Sequence, residues 1–291
     1  MGADRDPLPR LTPGPIQALD TPRKTVPEAT LREALAKAQA ILGETRALIT
    51  EALRKDFEYR RKADQTWVTD IDFAVERHLR TRLEEQFPGF GIIGEEFPDQ
   101  NRIAELTWVI DPIDGTSSLR HRVPLFGTIL ALRHADKSVL GLIDLPMLGR
   151  LYSGGAGLGV WCNDRQVRID DVENDSEIDS EIISLGGRAQ FISPGLPNVF
   201  DELMRLHPNV RTYGDCFGHG LVIEGAVGAM VDFDLRIWDV AATEILVPAA
   251  GGKFVCVRQR PGHDDSLLET RYDVIFGKPR VVDWILRTMH L

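Results

Sequence analysis

An antiparallel-rich α+β half followed by an α/β half is the architecture that this 291-residue chain encodes. Three observations predict it. Two amphipathic helical stripes come first, a run of closely spaced apolar strands follows, and strands then alternate with helices to the end. The length suits one large domain or two modest ones, with ample sequence for a buried core.

Residues 1–26 are rich in proline and lack hydrophobic periodicity, so they read as a flexible N-terminal arm. After Pro27, the residues Leu31, Leu35, Ala38, Leu42, Ile49 and Leu53 trace one helical face, with Gly43 its weak point. A second helix follows Thr69-Asp70, with Asp70 as its expected cap. Val75, Leu79, Leu83 and Phe87 share a face, and Pro88-Gly89 stops it. Strands are expected at 90–94, 107–110, 128–133 and 139–144, with shorter ones at 151–153 and 160–162. Gly154 to Gly159 looks like a dinucleotide loop, but strand-like Val160-Trp161-Cys162 follows it, so it reads as a glycine-rich hairpin. The acidic stretch 170–180 is the expected seam between a half at 27–170 and a half at 171–291. Beyond it, strands are expected at 182–185, 210–213, 229–233, 253–257 and 273–276. Helices are expected at 199–206, 217–228, 240–250 and 281–289.

The chain carries 44 Asp+Glu against 34 Lys+Arg, a formal charge of −10. Such a balance argues against nucleic acid as a partner, because a phosphate backbone selects basic surfaces. No stretch approaches the ~20 apolar residues that a membrane span needs, and no secretory leader is visible, so a cytoplasmic location is expected. Cys162, Cys216 and Cys256 form neither a paired metal motif nor a disulfide framework, as in a reducing compartment. An acidic protein that takes an anionic substrate must find positive charge locally.

The segment Trp108-Val109-Ile110-Asp111-Pro112-Ile113-Asp114-Gly115-Thr116 carries the most chemistry. A hydrophobic strand runs into two carboxylates three residues apart. Pro112 lacks an N–H donor, so the strand is expected to end there. Gly115, Thr116 and Ser117 could aim free N–H groups at an anion. Alone, this pattern is most often a turn. Glu95 and Glu96 also end an apolar strand, Asp239 begins a helix after Ile237-Trp238, and Asp72 has no evident structural duty. Asp239 equally suits a helix cap. Carboxylates gathered at strand ends and helix starts repel unless cations join them. Oxygen ligands without His or Cys clusters point to Mg²⁺ or Mn²⁺, less well to Ca²⁺, and away from zinc.

Together these segments resemble the inositol monophosphatase superfamily of Mg²⁺-dependent phosphatases. The resemblance rests on Gly94-Glu95-Glu96, on Trp108 to Thr116, on Trp238-Asp239-Val240-Ala241-Ala242 with Gly251-Gly252, and on Val68 to Asp72. It spans roughly residues 30–285 in family order. It implies a layered αβαβα sandwich, a homodimer and two or three Mg²⁺ ions, with Mn²⁺ a possible substitute. By the same resemblance, Glu95, Asp111 and the Ile113 carbonyl hold one metal, and Asp111, Asp114 and Asp239 a second. A third would sit beside Glu95 and Asp72. Thr116 and Asp72 orient the attacking water, Gly115, Thr116 and Ser117 cradle the phosphate, and Glu96 supports Glu95 from behind. The implied reaction is in-line attack by a metal-activated water, with no covalent nucleophile.

Several segments lean toward the histidinol-phosphate phosphatase branch. Lys62-Ala63-Asp64-Gln65-Thr66 is similar to that branch's K-x-D-x-T-P-V-T, with Trp67 in place of the proline. Arg211 to His219 is similar to its R-x-x-G-D-C-x-G-Y, with His219 in place of the tyrosine. Asp215 and Asp232 then stand where a substrate ammonium or imidazole would be met. Inositol phosphate or another sugar phosphate is the alternative ester, and a non-catalytic metal-binding regulatory homologue is a remote one. Cys216 reads as a buried thiol, Trp108 and Trp238 as wall residues, and His78 as a surface or packing residue. Arg120-His121-Arg122 reads as a solvated loop or a substrate-facing edge.

Overall fold

The computed structural model describes residues 25–291, apart from 64, 102, 193–194 and 263–266. Positions 1–24 of the expected arm therefore lie outside the described residues.

Helix α1 (Glu28–Ala52) buries Leu31, Ala34, Ala38, Ile41, Leu42 and Ile49. A short hairpin, β1 (Tyr59–Arg61) and β2 (Trp67–Thr69), leads into α2 (Asp70–Gln86). Next come β3 (Gly91–Gly94), β4 (Leu106–Asp114) and the one-turn helix α3 (Thr116–Arg120). The antiparallel strands β5 (Gly127–His134), β6 (Lys137–Leu145), β7 (Arg150–Gly155), β8 (Gly159–Cys162) and β9 (Arg165–Val167) complete a seven-stranded sheet, ordered as in the chain. The glycine-rich segment is the β7–β8 hairpin, with Gly155 opposite Gly159.

The second half contains β10 (Ile183–Leu185), α4 (Arg188–Ile192), α5 (Pro197–Leu206), β11 (Val210–Arg211), α6 (Asp215–Ile223) and β12 (Ala229–Leu235). It closes with α7 (Ile237–Ala249), β13 (Lys253–Arg260), β14 (Arg271–Gly277) and α8 (Pro279–Met289). Its five strands run in the order β11-β10-β12-β14-β13. The first three are parallel neighbours, and β14 runs antiparallel to both β12 and β13.

Period-two burial sorts the side chains into layers. On β4, Trp108 and Ile110 face α1 and α2, while Val109 faces the opposite core with α6 and α7. On β12, Met230 joins that central core, while Ala229, Val231 and Phe233 pack outward with α5 and α8. The result is helix, sheet, helix, sheet, helix: the expected αβαβα sandwich. Among the described residues, no helix is long and apolar enough to cross a membrane.

Three local expectations need correction. Strand β4 does not end at Pro112. It continues to Asp114, with a register shift against β5 between Asp111 and Asp114. Proline fits that irregularity because no ladder N–H is required of it there, and its carbonyl accepts from the Thr128 hydroxyl at 2.9 Å. The cap of α2 is Thr69, not Asp70, and Asp72 completes a capping box, so it does have a structural duty. The β1–β2 hairpin was not foreseen, because three-residue strands rich in arginine show no alternation.

Candidate active site

Sheet strand β4 delivers Asp111 and Asp114 to its carboxyl end, one on each side of the irregularity. Asp239 arrives from the first turn of α7, in the other half of the chain. One ligand oxygen from each of the three lies within 4.8 Å of the others. Like charges that close, with Asp111 buried and Asp114 and Asp239 half-buried, resist ionisation. Burial and the neighbouring carboxylates push Asp111 and Asp114 well above the usual carboxylate range. Asp239 is pushed up to about 7, first by burial. Asp239 also serves the fold: its Oδ2 accepts the Arg236 backbone N–H at 2.7 Å, as a helix cap would. Asp114 Oδ2 accepts the Cys216 N–H. Asp111 Oδ1 is buried and has no hydrogen-bond partner among the described residues.

Glu95 stands just past β3, outside the tight trio, yet its charge raises Asp72, Asp111 and Asp239. Lys62, at the hairpin, lies 2.6 Å from Glu95 Oε1 and 2.5 Å from Glu96 Oε1. Burial and the adjacent Glu95 charge push Glu96 up to about 7, against the pull of Lys62. The strand end is braced from below by Glu76, a fully buried residue of α2. Its carboxylate accepts the Glu96 N–H at 2.7 Å and the Phe97 N–H at 3.2 Å, and pairs with Arg80 at 2.8 Å. A side chain at Gly94 would collide with that carboxylate. Sequence reasoning missed Glu76 and Arg80; their one signal was an acid–base pair at helical spacing.

Asp72 is fully buried on α2. Its Oδ2 accepts the Thr69 N–H at 2.9 Å and the Thr69 hydroxyl at 2.5 Å. Its Oδ1 lies 3.1 Å from Thr116 Oγ1, which is also 2.9 Å from the Ile113 carbonyl. The single hydroxyl proton can serve only one of these acceptors at a time. Burial, opposed by the Thr69 bonds, leaves Asp72 at about 6. Gly115 takes φ +83, and α3 opens directly after it. Gly115, Thr116 and Ser117 thus sit where backbone N–H groups precede any intrahelical bond.

The two carboxylates expected at the substrate differ. Asp215 opens α6 with φ +56. Its Oδ2 lies 3.1 Å from where a Cβ on Gly115 would stand, and burial with the Asp232 charge pushes it up to about 6. Asp232 is instead closed off. It is 1% exposed, its Oδ1 accepts from Gln190 at 3.1 Å, and its Oδ2 is 3.1 Å from His219 Nε2. The other ring nitrogen of His219 meets the Thr243 hydroxyl at 2.7 Å. The open substrate contact expected at Asp232 is therefore a locked internal carboxylate. Gln190 and His219 are the residues that sequence reasoning did not link to it. Cys216 is a buried thiol and Trp108 a fully buried wall residue, as expected.

The donor set is all oxygen, and one buried carboxylate oxygen has no partner among the described residues. Both features fit a hard divalent cation. The sequence profile of the inositol monophosphatase family matches residues 29–286. Histidinol-phosphatase of Chlorobaculum parvum is 34% identical over 199 residues, covering 68% of this chain and 76% of that one. Histidinol-phosphatase of Mycobacterium tuberculosis is 34% identical over 219 residues, covering 74% and 84%. The solved inositol monophosphatase from Anabaena superposes with a TM-score of 0.73 at 25% identity, over 89% of this chain and 96% of that one. Fold, acidic site and sequence agree that the chain belongs to the inositol monophosphatase family and is a phosphatase.

Proposed function

We propose that this phosphatase hydrolyses a small phosphorylated alcohol, histidinol phosphate, to histidinol and inorganic phosphate, with Mg²⁺ as its cation. Two or three ions would be held by Glu95, Asp111, Asp114, Asp239 and the Ile113 carbonyl, and Mn²⁺ could substitute. Bound there, the cation would offset the phosphate charge and lower the pKa of the attacking water. The rest falls to the chain's own groups. Thr116 and Asp72, 3.1 Å apart, orient that water. Gly115, Thr116 and Ser117 receive the phosphate oxygens, and Glu96 steadies Glu95 through their shared Lys62. The halves 27–170 and 171–291 both contribute ligands. The proposed enzyme works as a homodimer in the cytoplasm, with no nucleic acid or membrane among its partners.

One observation carries the choice of substrate. Asp215 places a carboxylate against Gly115, beside the phosphate position. A leaving group with an ammonium and an imidazole gains from that charge; a polyol does not. Asp232 acts on the substrate through Asp215, whose ionisation it opposes. The names of the two histidinol-phosphatase relatives support the same reading, whereas the Anabaena structure is named for inositol phosphate. Comparing kcat/KM for histidinol phosphate and inositol 1-phosphate, with Mg²⁺ titrated, decides between them. Asp215→Ala should lower the first by about tenfold or more and the second much less. Equal loss on both esters defeats the assignment of Asp215. No phosphate release from any ester of a panel defeats the enzyme reading.

A further inference from the structure

The β1–β2 hairpin belongs to neither large sheet. All three residues of β1 are exposed, and a two-stranded ribbon of that length does not hold itself together in water. Its base is tied to α2, where the Asp70 N–H donates to the Glu58 carbonyl at 3.1 Å. Its far end carries Lys62, which meets Glu95 and Glu96. The body of the hairpin meets α2 through Arg60, which lies over the Phe73 ring at 5.4 Å, and makes its closer ring contacts with α3.

Arg120, the last residue of α3, lays its guanidinium 3.9 Å from the Trp67 ring centroid and 4.6 Å from that of Tyr59. The two rings meet edge-on at 5.8 Å, so the cation fills the angle between them. Among the described residues Arg120 has no carboxylate partner. Its Nε is buried without a hydrogen bond, and its polar neighbour is His121 Nε2 at 3.5 Å. A guanidinium so placed is held by aromatic faces, which suit its flat, weakly hydrated charge. Arg61 also lies over Trp67, at 4.8 Å, but it belongs to the hairpin and tethers it to nothing. Trp67 and Tyr59 stand on the two paired strands, so one guanidinium grips both.

We propose that Arg120 is a positioning residue: by gripping Tyr59 and Trp67 it fastens the hairpin to α3 and holds Lys62 against Glu95 and Glu96. The functional consequence rests on the reading of Glu95 as a cation ligand. Docked, Lys62 occupies one Glu95 oxygen and sets a positive charge beside the cation site. The clamp therefore governs how readily a divalent ion reaches Glu95. Arg120 also ends the helix that Thr116 opens, so the clamp joins the hairpin to the element that carries the phosphate cradle.

The test uses the full chain. In the hairpin, the Lys62 N–H bonds the Thr66 carbonyl at 2.8 Å and the Gln65 N–H bonds the Lys62 carbonyl at 3.0 Å. In metal-free protein, Arg120→Met should speed amide exchange at Lys62 and Gln65 by about tenfold. Arg120→Lys should do nearly the same, since an ammonium lacks the planar face, whereas Trp67→Phe should stay close to wild type. The half-saturating Mg²⁺ concentration for phosphate release should fall by roughly threefold in Arg120→Met. It should fall equally in Lys62→Met, and no further in the double variant. Unchanged exchange in Arg120→Met overturns the clamp. Independent, multiplying effects in the double variant overturn the route through Lys62. If no ester is turned over by the wild-type protein, the phosphatase reading fails, and the exchange result still decides the clamp.

Discussion

Three of the acidic side chains at the site each give one oxygen to the fold. Asp72 commits Oδ2 to Thr69, Asp239 commits Oδ2 to the start of α7, and Asp114 commits Oδ2 to the Cys216 N–H. The structural bond fixes the rotamer, and the remaining oxygen is available for ligation. Preorganised donors of this kind cost nothing to arrange at the moment of reaction. The pattern makes Asp114→Asn an informative change. An amide oxygen can still accept the Cys216 N–H, so the fold should survive, while the negative charge is lost. Turnover should fall by on the order of 10³-fold or more, with a circular dichroism spectrum and melting curve close to wild type. Full activity of this variant in Mg²⁺ removes the metal mechanism.

At the scale of elements, the site depends on where strands and helices stop. The end of β3 is held by Glu76 and Arg80 of α2 rather than by its own sheet. Glu76→Gln keeps the shape but removes the charge facing a nearly buried guanidinium. Breaking such a pair should cost on the order of 2–3 kcal/mol, read as a lower urea midpoint at unchanged slope. It should also raise the half-saturating Mg²⁺, because Glu95 and Glu96 lose their anchor. A variant with wild-type stability and Mg²⁺ response shows that the brace is dispensable.

The same scale explains what the sequence did and did not disclose. Asp111, Asp114, Glu95 and Asp239 were legible because each interrupts an apolar segment that cannot continue through a charge. Thr116 and Asp72 came with the family resemblance. Glu76 hid within α2, where a glutamate ordinarily marks a solvated face. The closure of Asp232 depends on Gln190 and His219, residues that only the fold brings to it. The αβαβα layering came with the family resemblance, while hydrophobic patterning gave an α+β half followed by an α/β half. The bulge at Pro112 and the short β1–β2 hairpin were not, because each is stabilised by tertiary contact rather than by local propensity.

For the whole molecule, the site is a place where folding stores repulsion. The seven-stranded sheet supplies Asp111 and Asp114, and α7, packed between the sheets, supplies Asp239. Folding brings these charges together, buries Asp111 and half-buries Asp114 and Asp239. Their folded pKa values lie above the unfolded ones, about 4 for a carboxylate, with Asp239 reaching about 7 and Asp215 about 6. Between those limits the folded chain binds more protons than the unfolded one. The stabilisation from these protons is complete below about pH 4 and is lost as pH rises through about 7. Metal-free protein should therefore lose melting temperature from pH 5 to pH 8 through this set of groups. A divalent cation reverses the sign, since it favours the ionised carboxylates and binds only the folded state. At a hundredfold excess over Kd, ligand linkage supplies about 2.7 kcal/mol, which is roughly a 5 °C rise for a chain of this size. The rise from Mg²⁺ should be larger at pH 8 than at pH 5, where protons compete for the same oxygens. In Asp111→Asn with Asp239→Asn it should vanish, while the metal-free double variant melts higher than wild type at pH 8. An equal Mg²⁺ response at both pH values, or a metal-free double variant less stable than wild type at pH 8, contradicts the idea that this acidic cluster is a strained cation cage.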